Sequence, residues 1–306
     1  VRILVTGGAG FIGSHLVTRL VADGHSVRVL DDLSSGKREN LAHVRGDVEL
    51  VVGDVRDAAA VRRCAEGCEL LYHQAAIVSV PASIDDPQAS HDVNVQGTLN
   101  ALLAARAAGV RRVVFACSAA VYGEEPTLPK REDLPPSPIS PYGVEKIAGE
   151  YYVLAWPRLY GVEGVALRYF NVFGPRQDPR SPYSGVISIF ADRAKTGRPL
   201  TIYGDGEQTR DFVFVEDVVQ ANVLAGMVPR ASGRAYNVGR GEQTTLHRLA
   251  EMLGRIVGRP LDVHHATPRH GDIRASYADI GRIRTELGYA PRIGVEDGLR
   301  RLLASL

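Results

Sequence analysis

Short runs of apolar residues recur along the first half of the chain, each broken by glycine or polar residues and followed by a segment with helical spacing. The first, in Val1–His15, reads VRILVTGGAGFIGSH: a buried strand, a tight turn and the start of an amphipathic helix. Further strands are expected at Ser26–Leu30, Leu50–Val52, Leu70–Tyr72 and Arg112–Ala116, with helices between them, as in Asn94–Ala107 and from Tyr142 through Leu154. Regular alternation of this kind predicts an α/β fold, a doubly wound parallel sheet with helices on both faces and ligands at the C-terminal strand ends. From about Asn171 the alternation gives way to Gly/Pro/Arg-rich loops, Asn171–Ser184 and Gly204–Arg210, so a smaller lobe is expected there. The apolar strands Val165–Tyr169 and Ala235–Val238 still look like sheet members, so the two parts should interleave. The expected division is 1–170 and, mainly, 171–306.

The first turn carries chemistry as well as shape. Gly7, Gly10 and Gly13, with Phe11 and Ile12 between the last two, let backbone amides approach a pyrophosphate at the positive end of the new helix. Asp31 closes the second strand about 20 residues further on, where a carboxylate accepts from a ribose with a free 2′-hydroxyl, favouring NAD over NADP. Asp54 and Val55 follow the third strand and can receive the adenine, although Asp54 can equally cap the next helix. Ala75 and Ala76 are small enough for a cofactor to pass close to the backbone.

Length and charge narrow the class. The 306 residues can bury a large core, and a net charge of +1 gives no field for nucleic acid or a membrane surface. Neither partner is expected. No apolar run is long enough to span a bilayer, and no signal peptide is read at the N-terminus. Cys64, Cys68 and Cys117 lack metal-ligand spacing and are expected as free thiols in a reducing cytoplasm. Lysine occurs only at Lys37, Lys130, Lys146 and Lys195, which makes a lysine within a motif noteworthy.

Lys146 lies four residues after Tyr142 at the start of a helical pattern, so both side chains share one face. An ammonium beside a phenol favours phenolate and prepares a general base. Ser118, beyond the strand Arg112–Ala116, can bridge that phenol and a substrate oxygen.

These residues resemble the extended short-chain dehydrogenase/reductases, and among them the nucleotide-sugar 4-epimerases. The matching stretches are TGGAGFIGSH, Asp31, GDVRD, HQAA, NVQGTLN, CSAAVYG, SPYGVEK, LRYFNVFGPRQ, GDGEQTRDFVFVEDV and RHGDIRASYAD. The resemblance implies a Rossmann-type NAD-binding domain and a UDP-sugar-binding lobe, with Ser118, Tyr142 and Lys146 as the catalytic set. It also implies a cofactor contact at Asn94, further ones from Tyr142 and Lys146, and often a homodimer. Dehydratases and decarboxylases of this type carry acids just after the serine or threonine; here Ala119 and Ala120 stand there, so redox at one carbon remains. On the sugar side the resemblance marks Asn171, the arginines Arg210 and Arg269, Asp272, and Tyr203, which can stack on uracil or be an ordinary sheet aromatic. Two guanidinium forks suit a diphosphate. Arg210 can instead pair with Asp211 or Glu216. Ser276 stands where a bulky tyrosine restricts other epimerases, leaving room for substituents larger than a hydroxyl. In the helix Gly185–Thr196, Val186, Ile189 and Phe190 mark one face, and Arg193 follows on it. Its guanidinium can pair with a glucuronate carboxylate, or its stem can lie over apolar surface with the head in water. The expected activity is 4-epimerisation of UDP-glucose/UDP-galactose or UDP-glucuronate/UDP-galacturonate, with a reductase or 4,6-dehydratase as the alternative.

Overall fold

The structure, a computed structural model, describes residues 1–178, 185–268 and 273–306. Seven parallel strands form its central sheet in the spatial order Arg234–Val238, Glu163–Tyr169, Arg112–Ser118, Leu70–His73, Arg2–Thr6, Ser26–Asp31 and Val48–Val52. The strand order reverses between Arg2–Thr6 and Leu70–His73, which pair in parallel with Thr6 opposite His73. Chain connections leave that point in opposite directions and open a crevice at the strand ends. The glycine turn after Thr6 and the Gln74–Ala76 segment after His73 both border it.

Each predicted strand is present, several extended by a residue or two. The helix predicted over Asn94–Ala107 is Gly97–Ala108, preceded by a wider π-helical turn at Asp92–Gln96. Pro141–Tyr160 is one continuous helix with Ser140 as N-cap, its side chain accepting from the Gly143 N–H. Asp57, not Asp54, caps Ala58–Ala65, accepting from the Ala59 and Ala60 N–H groups. Asp54 instead accepts from the Arg56 N–H and its guanidinium, closing a turn two residues long.

Two apolar cores are built, and they interleave along the chain. The larger packs both faces of the sheet and takes in residues as late as Tyr236, Ile283 and Tyr289. The smaller gathers Phe173, Ile187, Phe190, Leu200, Phe212, Leu249, Leu253 and Leu299 beyond the strand ends. In the helix Val186–Thr196 the buried face is Ile187, Phe190, Ala191 and Ala194. The face read from the sequence is therefore displaced: Val186, Ile189 and Arg193 are half-buried at its margin. Among the described residues no helix is long and apolar enough to cross a membrane.

Candidate active site

The glycine turn is shaped by close approach. Gly7 has φ +67°, and a Cβ there would lie 2.6 Å from the Ala75 nitrogen. A Cβ on Gly13 would lie 2.1 Å from the Gly7 carbonyl oxygen, so only glycine lets the helix start against the turn. At Gly10 the nearest atom would be that same oxygen, at 3.2 Å, so this residue otherwise faces open space. Gly10 is the N-cap of Phe11–Ala22, and among the described residues no side chain caps it. Amides at the start of that helix thus face the crevice, the setting an anionic ligand needs.

Asp31 ends the neighbouring strand, 6% exposed, with one oxygen accepting from Ala9 N–H (2.9 Å) and the other from Leu33 N–H (2.9 Å). Burial raises its pKa, and these N–H groups hold the rise back. Each oxygen keeps a lone pair for a ribose hydroxyl, while a 2′-phosphate would meet a carboxylate. The cradle and the acid fit an NAD molecule, whose diphosphate and ribose Gly7, Gly10, Phe11, Ile12, Gly13 and Asp31 would hold. Asp54 is ionised more readily than usual because Arg56 hydrogen-bonds it. Val55 is buried beside it, its carbonyl held by Asn100.

Asn94 differs from expectation. It is 2% exposed, its Oδ1 accepts from Ile77 N–H (2.8 Å), and its Nδ2 donates to Ile77 O (2.9 Å) and Glu145 Oε2 (2.7 Å). Both amide hydrogens have protein acceptors, so this side chain holds the segment after Ala75 and Ala76 rather than donating to a ligand.

Catalytic candidates from neighbouring elements meet at the same strand ends. Ser118 closes the strand Arg112–Ser118, accepts from Ala120 N–H at 3.1 Å, and lies close enough to Tyr142 to ease its ionisation. Tyr142 is buried in the first turn of Pro141–Tyr160, with its N–H donating to Ser83 Oγ at 3.1 Å. The Lys146 ammonium sits 5.7 Å from the Tyr142 ring centroid and donates to Ala116 O at 2.9 Å. Burial brings Lys146 down to about 8 and pushes the Tyr142 phenol well up, against the opposing pull of nearby Ser118. Ala119 and Ala120 are half-buried in the turn after Ser118 and supply no further proton donor. The Cys117 thiol is buried, donates to Lys146 O and is pushed well up by burial, so it is no nucleophile. Cys64 and Cys68 are also buried and free.

The sugar-side candidates border the smaller core. Asn171 is exposed at the start of the strand Asn171–Phe173. Arg210 donates to Thr209 O and Ile273 O at 2.8 and 2.6 Å. The two anions weighed for it have other partners: Asp211 accepts from three backbone N–H groups and Glu216 pairs with Arg301. Tyr203 is half-buried, its carbonyl accepting from Gln208 Nε2 at 2.7 Å. Ser276 is half-buried, its N–H donating to Thr209 O at 3.2 Å. Arg269 and Asp272 lie outside the described residues. Arg193 is a brace: its Nη1 donates to Pro199 O and Thr201 Oγ1, both at 3.0 Å, joining the helix end to the strand Leu200–Tyr203.

Glu145, Ser90 and His73 escape the sequence reading. Glu145 Oε2 accepts from Ser90 Oγ at 2.7 Å as well as from Asn94. His73 bridges Thr6 and Thr98, and burial brings it down to about 3. The signal available for Glu145 is a charge at a position the helical period turns inward.

Known proteins match the chain along nearly its whole length. The model of the NAD dependent epimerase/dehydratase family matches residues 3–239. A UDP-glucose 4-epimerase of Mycolicibacterium smegmatis is 45% identical across 98% of this chain and 96% of its own length. The crystal structure of a UDP-glucose 4-epimerase with UDP-glucose from Thermotoga maritima matches with a TM-score of 0.95 at 38% identity, covering 100% of this chain and 98% of that one. A UDP-glucuronic acid 4-epimerase from Bacillus cereus, in complex with UDP-glucuronic acid and NAD, matches at 0.92 and 30% identity, again over 100% and 98%. With its glycine cradle, its strand-end acid and its paired tyrosine and lysine, the chain belongs to the NAD dependent epimerase/dehydratase family.

Proposed function

We propose that this protein is a UDP-hexose 4-epimerase that interconverts UDP-glucose and UDP-galactose with NAD held in the crevice. The observation that carries the reading is the Lys146 ammonium 5.7 Å from the Tyr142 ring centroid, at the end of the strand that Ser118 closes, with no further acid at Ala119 or Ala120. Bound NAD supplies a reversible two-electron oxidant for the sugar's C4. Tyr142 takes the proton of the 4-hydroxyl and returns it after the sugar has turned over. Lys146 steadies the phenolate by its charge, and Ser118 holds the sugar oxygen and the phenol in line. Without another acid or base, the 4-keto sugar is neither dehydrated nor decarboxylated.

Asn171, Val186, Tyr203, Arg210 and Ser276, with Arg269 and Asp272, are proposed to hold the UDP-sugar. Support comes from the arginine-rich loops beside the smaller core and the open face at Asn171. The larger core then belongs to the NAD-binding lobe and the smaller to the UDP-sugar lobe, with segments after residue 170 contributing to both. The neutral sugars are favoured over the uronates because Arg193 is engaged by Pro199 and Thr201. Exposed Leu103, Val144, Tyr151 and Leu159 on two helices support a homodimer. The free thiols fit a cytoplasmic setting. A panel of UDP-sugars incubated with the purified protein, with the epimers separated, tests the reading: UDP-galactose should form from UDP-glucose without added cofactor, and an unchanged UDP-glucose pool overturns it.

A further inference from the structure

Between Tyr142 and Lys146 the helix buries a second ionisable group. Glu145 is 4% exposed, and its Oε2 receives two hydrogen bonds of 2.7 Å, from Ser90 Oγ and Asn94 Nδ2. Both partners donate, as a carboxylate requires. Among the described residues Glu145 makes no salt bridge, so its charge is balanced only through its surroundings. Asn94 in turn holds both the N–H and the carbonyl of Ile77, in the segment that leaves the switch-point strand past Ala75 and Ala76. One buried carboxylate therefore connects the catalytic helix to the wall of the cofactor crevice.

We propose that Glu145 is a positioning residue of the epimerase reaction: its buried carboxylate, gripped by Ser90 and Asn94, ties the helix of Tyr142 and Lys146 to the crevice wall and supplies the negative charge that balances Lys146. The inference rests on the reading of Tyr142 as the base. Burial alone weakens the ammonium, and a nearby fixed anion opposes that loss, raising Lys146 and Tyr142 together. The other groups facing this pair are neutral or matched. Cys117, from the strand Arg112–Ser118, keeps its proton, and His73, from the strand Leu70–His73, is held as the neutral imidazole. Glu150 and Arg168 form a bidentate pair across the helix and the strand Glu163–Tyr169. On the π-helical turn, Asp92 is half-buried and accepts from Gln88, and it is not among the groups that act on Lys146. Glu145 is thus the unmatched charge beside Lys146.

The test is the pH profile of kcat in Glu145→Gln, which keeps an oxygen for Ser90 and Asn94 but removes the charge. Activity needs Tyr142 without its proton and Lys146 with its own, so the two limbs of the profile are the apparent titrations of this coupled pair in the loaded enzyme. Both limbs should move to lower pH together, by up to about one unit, the order of magnitude of a neighbouring charge's effect in a medium of effective dielectric about 20. An independent readout is the 295 nm absorbance titration of the protein as purified, taken as the difference from Tyr142→Phe, whose midpoint should fall by a similar amount. Glu145→Asp, which keeps the charge and loses the reach, should leave both limbs in place while KM or kcat worsens. Unmoved limbs in Glu145→Gln, with only a lower melting temperature, overturn the proposal. Glu145→Ala substitutes if the glutamine variant is insoluble, with the same shift expected; failure of both to fold also overturns it. Substantial activity in Tyr142→Phe is a separate result, which removes the reading of the base rather than the role of Glu145.

Discussion

A buried tyrosine is a poor base until positive charge stands beside it. The Tyr142 phenol is pushed well up by burial, while Lys146 is brought down to about 8, still charged at neutral pH. On the proposed reading that pairing gives the proton transfer to Tyr142, and Tyr142→Phe removes only the ionisable oxygen. Turnover should fall by about 10²–10⁴-fold, the usual size of a general-base contribution, while bound NAD is retained. Activity above about a hundredth of wild type contradicts the assignment. Cofactor choice is also a residue-scale matter: the Asp31 carboxylate, already facing Ala9 and Leu33, should reject a 2′-phosphate. Denatured protein should release NAD or NADH, and NADP in the extract would refute this role. The glycines separate by geometry. Gly13→Ala drives a methyl group into the Gly7 carbonyl and should distort the turn and lower the melting temperature, whereas Gly10→Ala meets protein only at 3.2 Å and turns its methyl to the ligand side, so it should lose cofactor with the fold intact. Cofactor stoichiometry by absorbance beside the melting temperature distinguishes them, and equal effects of both variants on the melting temperature contradict the shape argument.

At the scale of elements, strand ends are the most legible part of the chain. Glycine spacing, the terminal acid of Ser26–Asp31 and the Tyr142–Lys146 interval are local signals, set by backbone conformation and helical period. Contacts across elements are not legible. Asn94 is expected at the cofactor, but the approach of Asp92–Gln96 to Pro141–Tyr160 turns it toward Ile77 and Glu145, and no spacing in the sequence reports that approach. The helix Val186–Thr196 differs for another reason: Phe190 belongs to both candidate stripes, and the sequence alone does not decide between Val186/Ile189 and Ile187/Ala191 as its companions. Arg193 then lies on the margin and braces Pro199 and Thr201. Arg193→Ala should lower unfolding stability by about 1–2 kcal/mol, the worth of two ordinary hydrogen bonds. The kcat/KM ratio between UDP-glucose and UDP-glucuronate should stay put, and a selective loss on the uronate would restore Arg193 as a carboxylate reader.

For the whole molecule, two enclosed histidines couple folding to pH. His15, hydrogen-bonded to Pro175 O, is lowered to about 4, and His73 to about 3, both by burial. Between these values and 6.5 the unfolded chain binds protons that the folded one refuses, so this stability is complete above about pH 6.5 and is lost as pH falls toward 3. The carboxyl groups of Asp31, Asp211, Asp217 and Glu132, all raised by burial, act in the opposite sense: their contribution is complete below the ordinary carboxylate range and is lost as pH rises through their folded values. A variant separates the two effects. In His15→Asn the fall in urea midpoint between pH 6.5 and 5 should be shallower than in the wild type, and identical slopes contradict the neutral, enclosed state of His15. The central claim concerns the fate of the hydrogen on C4. With UDP-[4-²H]glucose as substrate and the protein as purified, mass spectrometry of the product should show UDP-galactose with the deuterium retained on C4 and none exchanged with water. Deuterium lost to solvent, or no UDP-galactose formed, would contradict epimerisation by internal return of that hydrogen.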